Sequence, residues 1–195
     1  DGGERLRPVL QECVATLLQQ VRLLRQIASE FSSFASSPTA RRSSVDVTAL
    51  LREIVHPYRV GLSDRIRFDV DLAADIPPVD VDRTLISRAL TNIVENALHA
   101  MPGDGELRVL ARHADGLVHV SVSDTGCGMD EEALARAFEP YFSTKAAGTG
   151  LGLPIAKRNV ELSGGTIAVT SERDRGTTVT IQLPVTAAAT VGGGA

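Results

Sequence analysis

The chain has 195 residues, enough for one full core of about 150 residues and one further element. Apolar residues make up 43%, the formal net charge is −4 and there is no basic run, so the composition is that of an ordinary soluble globular chain and gives no footing for a nucleic-acid or anionic-membrane surface. No stretch reaches the roughly 20 apolar residues of a membrane span, no signal peptide opens the sequence, and Cys13 and Cys127 lie far apart without metal-type spacing, which suits a reducing compartment.

From Arg5 to Ser36, Leu6, Leu10, Cys13, Leu17, Gln20, Leu24, Ile27, Phe31 and Phe34 follow a heptad seam with one polar interruption. A narrow, sustained seam predicts a long helix in a coiled coil or four-helix bundle; an amphipathic helix packed on its own domain is the alternative. Ser36-Ser-Pro-Thr-Ala-Arg-Arg-Ser-Ser44 then breaks the pattern as a linker.

Asp46 is placed to cap a helix with the stripe Leu50, Leu51, Ile54, Val55 and Tyr58. Ile66, Phe68, Val70 and Leu72 alternate with charged residues, as in a half-buried strand. Asp82 caps the next predicted helix, which turns Leu85, Ile86, Ala89, Leu90, Ile93, Val94, Ala97 and Leu98 inward. Further strands centre on Leu107–Val109, Val118–Val122, Ile167–Val169 and Val179–Leu183, and a helix runs from near Leu151 to Ser163, stopping at Gly164. This mixture predicts one layer of helices on a mixed sheet.

Three segments carry chemistry. In Asn92-Ile-Val-Glu-Asn96-Ala-Leu-His99, positions 92, 96 and 99 fall on one helix side. Two amides and an imidazole beside an apolar stripe are costly unless something binds them, and an amide oxygen can ligate Mg²⁺; a solvated polar face is the bland reading. Ser123-Asp124-Thr-Gly126-Cys-Gly128-Met129 ends a strand, and its carboxylate can accept from an exocyclic amine of a flat ligand, or the turn is a structural hairpin. Gly148-Thr149-Gly150-Leu151-Gly152 opens a helix, where free backbone N–H groups favour phosphate. It is neither a dinucleotide fingerprint nor a Walker loop. Between the last two lies Phe138-Glu-Pro-Tyr-Phe142-Ser-Thr-Lys145, which reads as a hinged lid. Glu95 reads as a surface charge, His119 as structural or solvated, and His113 as a loop residue.

In this order the segments resemble the N, G1, F and G2 boxes of sensor histidine kinases of two-component systems, and Gly176-Thr-Thr-Val-Thr-Ile-Gln-Leu-Pro184 resembles that family's closing strand. The resemblance covers roughly Val45 to Pro184. It implies an α+β chain with the GHKL (Bergerat-type) ATP-binding fold, an α/β sandwich of a mixed sheet and three main helices, preceded by the long coiled-coil or bundle helix. ATP and Mg²⁺ are the implied cofactors. Asn96 would hold the metal, with Asn92 and His99 toward the phosphates; Asp124 would bind the adenine amine, with Gly126, Gly128 and Met129 shaping the pocket. Gly148, Thr149, Gly150, Leu151 and Gly152 would line the phosphates, Thr177 would sit near the adenine, and Lys145 would contact phosphate. Asn92, Asn96, His99 and Lys145 form the implied catalytic set.

The upstream segment, especially Glu30-Phe-Ser-Ser-Phe-Ala-Ser-Ser-Pro38, resembles the second helix of the dimerisation and phosphotransfer domain, closest to nitrogen-regulation-type kinases. The expected organisation is therefore residues 1–37 as that partial domain, 38–44 as linker, 45–186 as the ATP-binding catalytic domain and 187–195 as a disordered tail. In the family the phosphoacceptor histidine stands on the first helix, in a His-Glu/Asp motif. No histidine precedes His56, which closes the first catalytic helix, so the acceptor is expected outside this fragment. The resemblance implies a homodimer through the N-terminal helix and a response regulator receiver domain as partner, in the cytoplasm, with the parent protein membrane-anchored or not. Other readings are an ATPase of the same fold, an anti-sigma-type serine kinase, or a dimerisation module with a vestigial nucleotide site. Asn92 stands where the ATPases carry a glutamate base, which argues against direct water activation.

Overall fold

The computed structural model describes residues 40–144 and 148–185, with Val14, Thr16, Leu17, Leu18 and Val21 from the N-terminal region. The chain divides into two compact units, Asp1–Pro38 and Thr39–Ala195. In the first, the five described residues are helical and exposed. The rest of the predicted heptad helix lies outside the described residues, as does the predicted tail at 187–195.

The second unit opens with β1 (Ser43–Val45), α1 (Val47–Leu62), β2 (Ile66–Leu72), β3 (Val79–Val81) and α2 (Arg83–Ala100). It continues with β4 (Gly105–Ala114), β5 (Leu117–Asp124), the short α3 (Glu131–Ala135), α4 (Gly152–Leu162), β6 (Thr166–Glu172) and β7 (Gly176–Pro184). Both predicted caps form. Asp46 Oδ1 accepts from the backbone of Thr48 and Ala49 at 2.9 and 3.0 Å, and Asp82 Oδ1 from Thr84 and Leu85 at 2.9 and 3.1 Å. Each carboxylate thus satisfies N–H groups that have no partner inside the helix.

Five strands pair in the order β2-β4-β5-β7-β6, parallel between β2 and β4 and antiparallel elsewhere. The period of two separates their faces. Leu107, Val109 and Ala111, then Val118, Val120 and Val122, then Val179, Ile181 and Leu183 are buried beneath α1, α2 and α4 in one hydrophobic core. On the opposite face of β2 and β4, Arg67 pairs with Glu106 at 2.6 Å, Arg108 with Asp69 at 3.0 Å, and Arg112 with Asp71. Exposed pairs of this kind stabilise by about 0–1 kcal/mol each, so they keep that face wet rather than hold the sheet together.

The structure departs from expectation at several places. His56, expected to close the first catalytic helix, lies inside α1, which runs on to Leu62. β1 begins at Ser43, inside the predicted linker, and pairs antiparallel with β3 from Ser43↔Val81 to Val45↔Val79. Neither strand was predicted, because three residues cannot show an alternation. The short α3 was likewise unpredicted. His113 lies on β4 rather than in a loop.

Candidate functional site

Rows of register partners cross β5, β7 and β6. Val120, Ile181 and Ile167 form one apolar row, and Val122, Val179 and Val169 the next. The following row is Asp124, Thr177 and Ser171. All three share the helix-covered face by parity, so at this end of the sheet the apolar lining turns polar. Asp124 is only 8% exposed. A carboxylate so enclosed needs donors, and the backbone N–H of Gly126 gives it one at 2.8 Å.

The chain leaving Asp124 is pinned closely. The N–H of Cys127 donates to the Ala100 carbonyl at the end of α2, at 3.1 Å. A Cβ on Gly126 would fall 2.6 Å from that same oxygen, so glycine alone lets the strand end approach the helix. Gly128 has φ +59°, where a side chain is strained, and a Cβ there would run into the Glu172 carbonyl. The Met129 N–H then donates to Ser171 Oγ at 2.8 Å.

The second cluster forms between α2 and α4. Asn92 Nδ2 donates to the Gly152 carbonyl at 3.3 Å, which ties the amide helix to the first residue of α4. A Cβ on Gly152 would sit 2.9 Å from Asn96 Nδ2. Gly152 therefore makes room for Asn96. The α4 N-cap, Leu151, is buried and supplies no side-chain cap, and no acidic residue occupies the first turn, so its N–H groups are left for another acceptor. Leu151 N–H approaches Thr149 Oγ1 at 3.3 Å, and Gly150, at φ +67°, accepts from Tyr141 N–H at 3.1 Å. Phe142 lies under the Arg136 guanidinium at 4.0 Å and Phe138 under Lys157 at 5.1 Å, so two of the three aromatics of the Phe138–Lys145 segment are held by cations.

The structure thus assembles Asp124, Gly126, Gly128, Met129 and Thr177 at the sheet end, and Asn92, Asn96, Gly150, Leu151 and Gly152 between the helices. The Ala100–Cys127 bond joins the two clusters. His99 follows Asn96 by one turn, in the last turn of α2, and is exposed, as is Gly148. Lys145 lies outside the described residues. Glu95 is not a bare surface charge: it is half-buried and accepts from Tyr58 Oη at 2.9 Å. Burial, and then that bond to Glu95, raise the Tyr58 phenol to about 12. His119 occupies the sheet face away from the helices, with its Nε2 buried and without a hydrogen-bond partner. Ser171 was missed in the sequence. It is one hydroxyl in an alternating strand, followed by Glu172 and a charged turn, and its partners Gly176, Thr177 and Met129 lie outside its own segment, so no motif marks it.

The family model for histidine kinase-, DNA gyrase B- and HSP90-like ATPases matches residues 81–187, and the chain belongs to this family. The domain is of the ATP-binding catalytic kind found in two-component sensor histidine kinases, as its relatives show. The signal transduction histidine-protein kinase AtoS of Escherichia coli is 31% identical over 180 residues, covering 91% of this chain and 30% of that protein. The nitrogen regulation protein NtrY of Azorhizobium caulinodans is 36% identical over 168 residues, covering 83% and 22%. The chain therefore spans less than a third of the length of these curated relatives. Among solved structures, the catalytic domain of histidine kinase ThkA superposes with a TM-score of 0.67 at 29% identity, covering 74% of this chain and 95% of that one. ThkA in complex with the response regulator protein TrrA gives 0.74 at 25% identity, covering 87% and 49%.

Proposed function

We propose that the Thr39–Ala195 unit binds ATP with Mg²⁺ and positions its γ-phosphoryl for transfer to a histidine of the parent protein, for relay to an aspartate on a response regulator. The observation that carries this reading is the joining of two clusters through one helix end. A buried carboxylate lies beyond the end of α2 with glycines packed against it, and two amides stand on α2 beside the uncapped start of α4. The first suits the amine of a flat base, the second a chain of phosphates.

The donor set fits a hard cation held jointly with phosphate. Asn96 offers a neutral amide oxygen, and no cluster of three His, Cys, Asp or Glu side chains occurs among the described residues. When bound, Mg²⁺ would neutralise phosphate charge. The chain's own part is positioning. Asp124 accepts from the base, Asn92 fixes the start of α4, and the α4 N–H groups face the phosphates. Lys145 and His99 would add phosphate contacts. Glu95 is bonded to Tyr58, and Asn92 has no carboxylate, which supports phosphoryl transfer over direct activation of water. The ThkA complex with TrrA supports a receiver domain as partner. Residues 1–37 would supply a dimer-forming helix, the residues from 38 up to β1 a linker, and 187–195 a tail, with the whole in the cytoplasm. Among the described residues no helix is long and apolar enough to cross a membrane.

Calorimetric titration of Asp124→Asn with an ATP analogue tests the site. The amide can present its donor where the carboxylate accepts, so affinity should fall by about tenfold or more while the fold persists. Unchanged affinity in a folded variant removes Asp124 from the site. Asn96→Ala should erase the Mg²⁺ dependence of binding, and an unaltered dependence would place the metal elsewhere.

A further inference from the structure

The third residue of the polar row, Ser171, makes three contacts with one hydroxyl. It donates to the Gly176 carbonyl at 2.9 Å, accepts from the Met129 N–H at 2.8 Å, and lies 2.9 Å from Thr177 Oγ1. A serine hydroxyl has one hydrogen and two lone pairs. A carbonyl can only accept, so the hydrogen belongs to Gly176 and the first lone pair to Met129. One lone pair is left for Thr177. Since the Ser171 hydrogen is already committed, Thr177 must be the donor in that contact. Its own hydrogen therefore points along the strand row toward Ser171, and its oxygen keeps only lone pairs for anything beside it.

Thr177 is the register partner of Asp124 on β7. An ionised carboxylate also offers only lone pairs. We propose that Ser171 is a specificity-determining positioning residue, which fixes the Thr177 hydroxyl as an acceptor so that Asp124 and Thr177 together admit a 6-amino purine and reject a 6-oxo purine. This rests on the nucleotide reading above and deepens it. An amino group brings hydrogens to both oxygens, directly or through a water. A 6-oxo group brings lone pairs against lone pairs, and Thr177 cannot turn to meet it without breaking its bond to Ser171. A site built for one hydrogen-bond pattern discriminates strongly against its reverse, because buried groups are left unpaired. Without Ser171, the Thr177 hydroxyl is free to rotate and donate.

The test is calorimetric titration with ADP and with inosine diphosphate, both with Mg²⁺, on the parent chain, Ser171→Ala, Ser171→Thr and Thr177→Val. The parent should favour ADP by about tenfold or more. Ser171→Ala should cut that ratio several-fold, chiefly by admitting the inosine nucleotide, and Ser171→Thr, which keeps the hydroxyl, should retain it. Thr177→Val should also lower the ratio, which provides a reading even if Ser171→Ala does not fold. A Ser171→Ala variant that weakens both nucleotides equally would show a purely structural serine and overturn the proposal. An unchanged ratio in folded Thr177→Val would overturn it as well. Binding of neither nucleotide by the parent chain would instead remove the site itself, and this proposal with it.

Discussion

Glycines that look alike in the sequence do different work. Gly128 and Gly152 each stand in a glycine-spaced motif, yet their surroundings differ. A Cβ on Gly128 meets backbone, in a left-handed conformation, and backbone cannot step aside. Gly128→Ala should cost roughly 2–3 kcal/mol of stability, read as a lowered midpoint in urea. A Cβ on Gly152 meets the amide end of Asn96, which can swing away. Gly152→Ala should therefore melt close to the parent but bind Mg-nucleotide at least several-fold more weakly. Equal losses of stability in the two variants would contradict this division. Sequence spacing marks where glycines gather, but it does not say whether the neighbour is a carbonyl or a movable side chain. Ser171 shows the same limit: its role comes from its partners across β7, which lie outside its own segment.

At the level of elements, the caps carry a pH signature. Burial pushes the Asp82 carboxyl up, but the backbone N–H groups of Arg41, Leu85 and Thr84 outweigh it and hold the group below its usual 3.8. A carboxyl lowered by folding lends stability that is fully present above its unfolded value and is lost as pH falls through its folded value. Asp82→Ala should thus lower stability by about 1–2 kcal/mol at neutral pH, and the gap from the parent should close below about pH 4. Chemical denaturation at a series of pH values checks this, and a gap that persists to pH 2 would count against the cap. The elements themselves were legible wherever a period had room to repeat. The 18 residues of α2 put a buried side chain at every third or fourth position, and β5 alternates over eight. β1, β3 and α3, at three, three and five residues, are shorter than a sequence pattern needs. Their partners, not their own composition, define them.

Across the whole molecule, the described residues of the hydrophobic core run from Val45 to Leu183 and belong to the Thr39–Ala195 unit. A chain shortened to that unit should keep a cooperative melt within a few degrees of the full 195 residues and the same nucleotide affinity. Circular dichroism melts and the calorimetric titration measure both, and a loss of the cooperative transition would mean that the first unit completes the core. The order of motifs along the chain disclosed which clusters would exist. It did not disclose that Asn92 and Gly152 meet directly, or that Cys127 ties one cluster to the other through Ala100, because those contacts join residues far apart in sequence.

The strand order has a kinetic consequence. Asp124 and Thr177 are partners although 53 positions separate them (177 − 124), with α3, α4 and β6 all falling between. Closing a loop of that length costs entropy before any contact rewards it, so the pairing of β5 with β7 belongs to the late part of folding. The row of Asp124, Thr177 and Ser171 then does not exist in the rate-limiting ensemble, and a nucleotide bound through it as proposed would have nothing there to hold. ADP should accordingly leave the refolding rate unchanged and slow unfolding in proportion to its occupancy, since it stabilises the native state alone. Stopped-flow refolding and unfolding with and without Mg-ADP separate the two limbs, and faster refolding with nucleotide would place the pairing of β5 and β7 early.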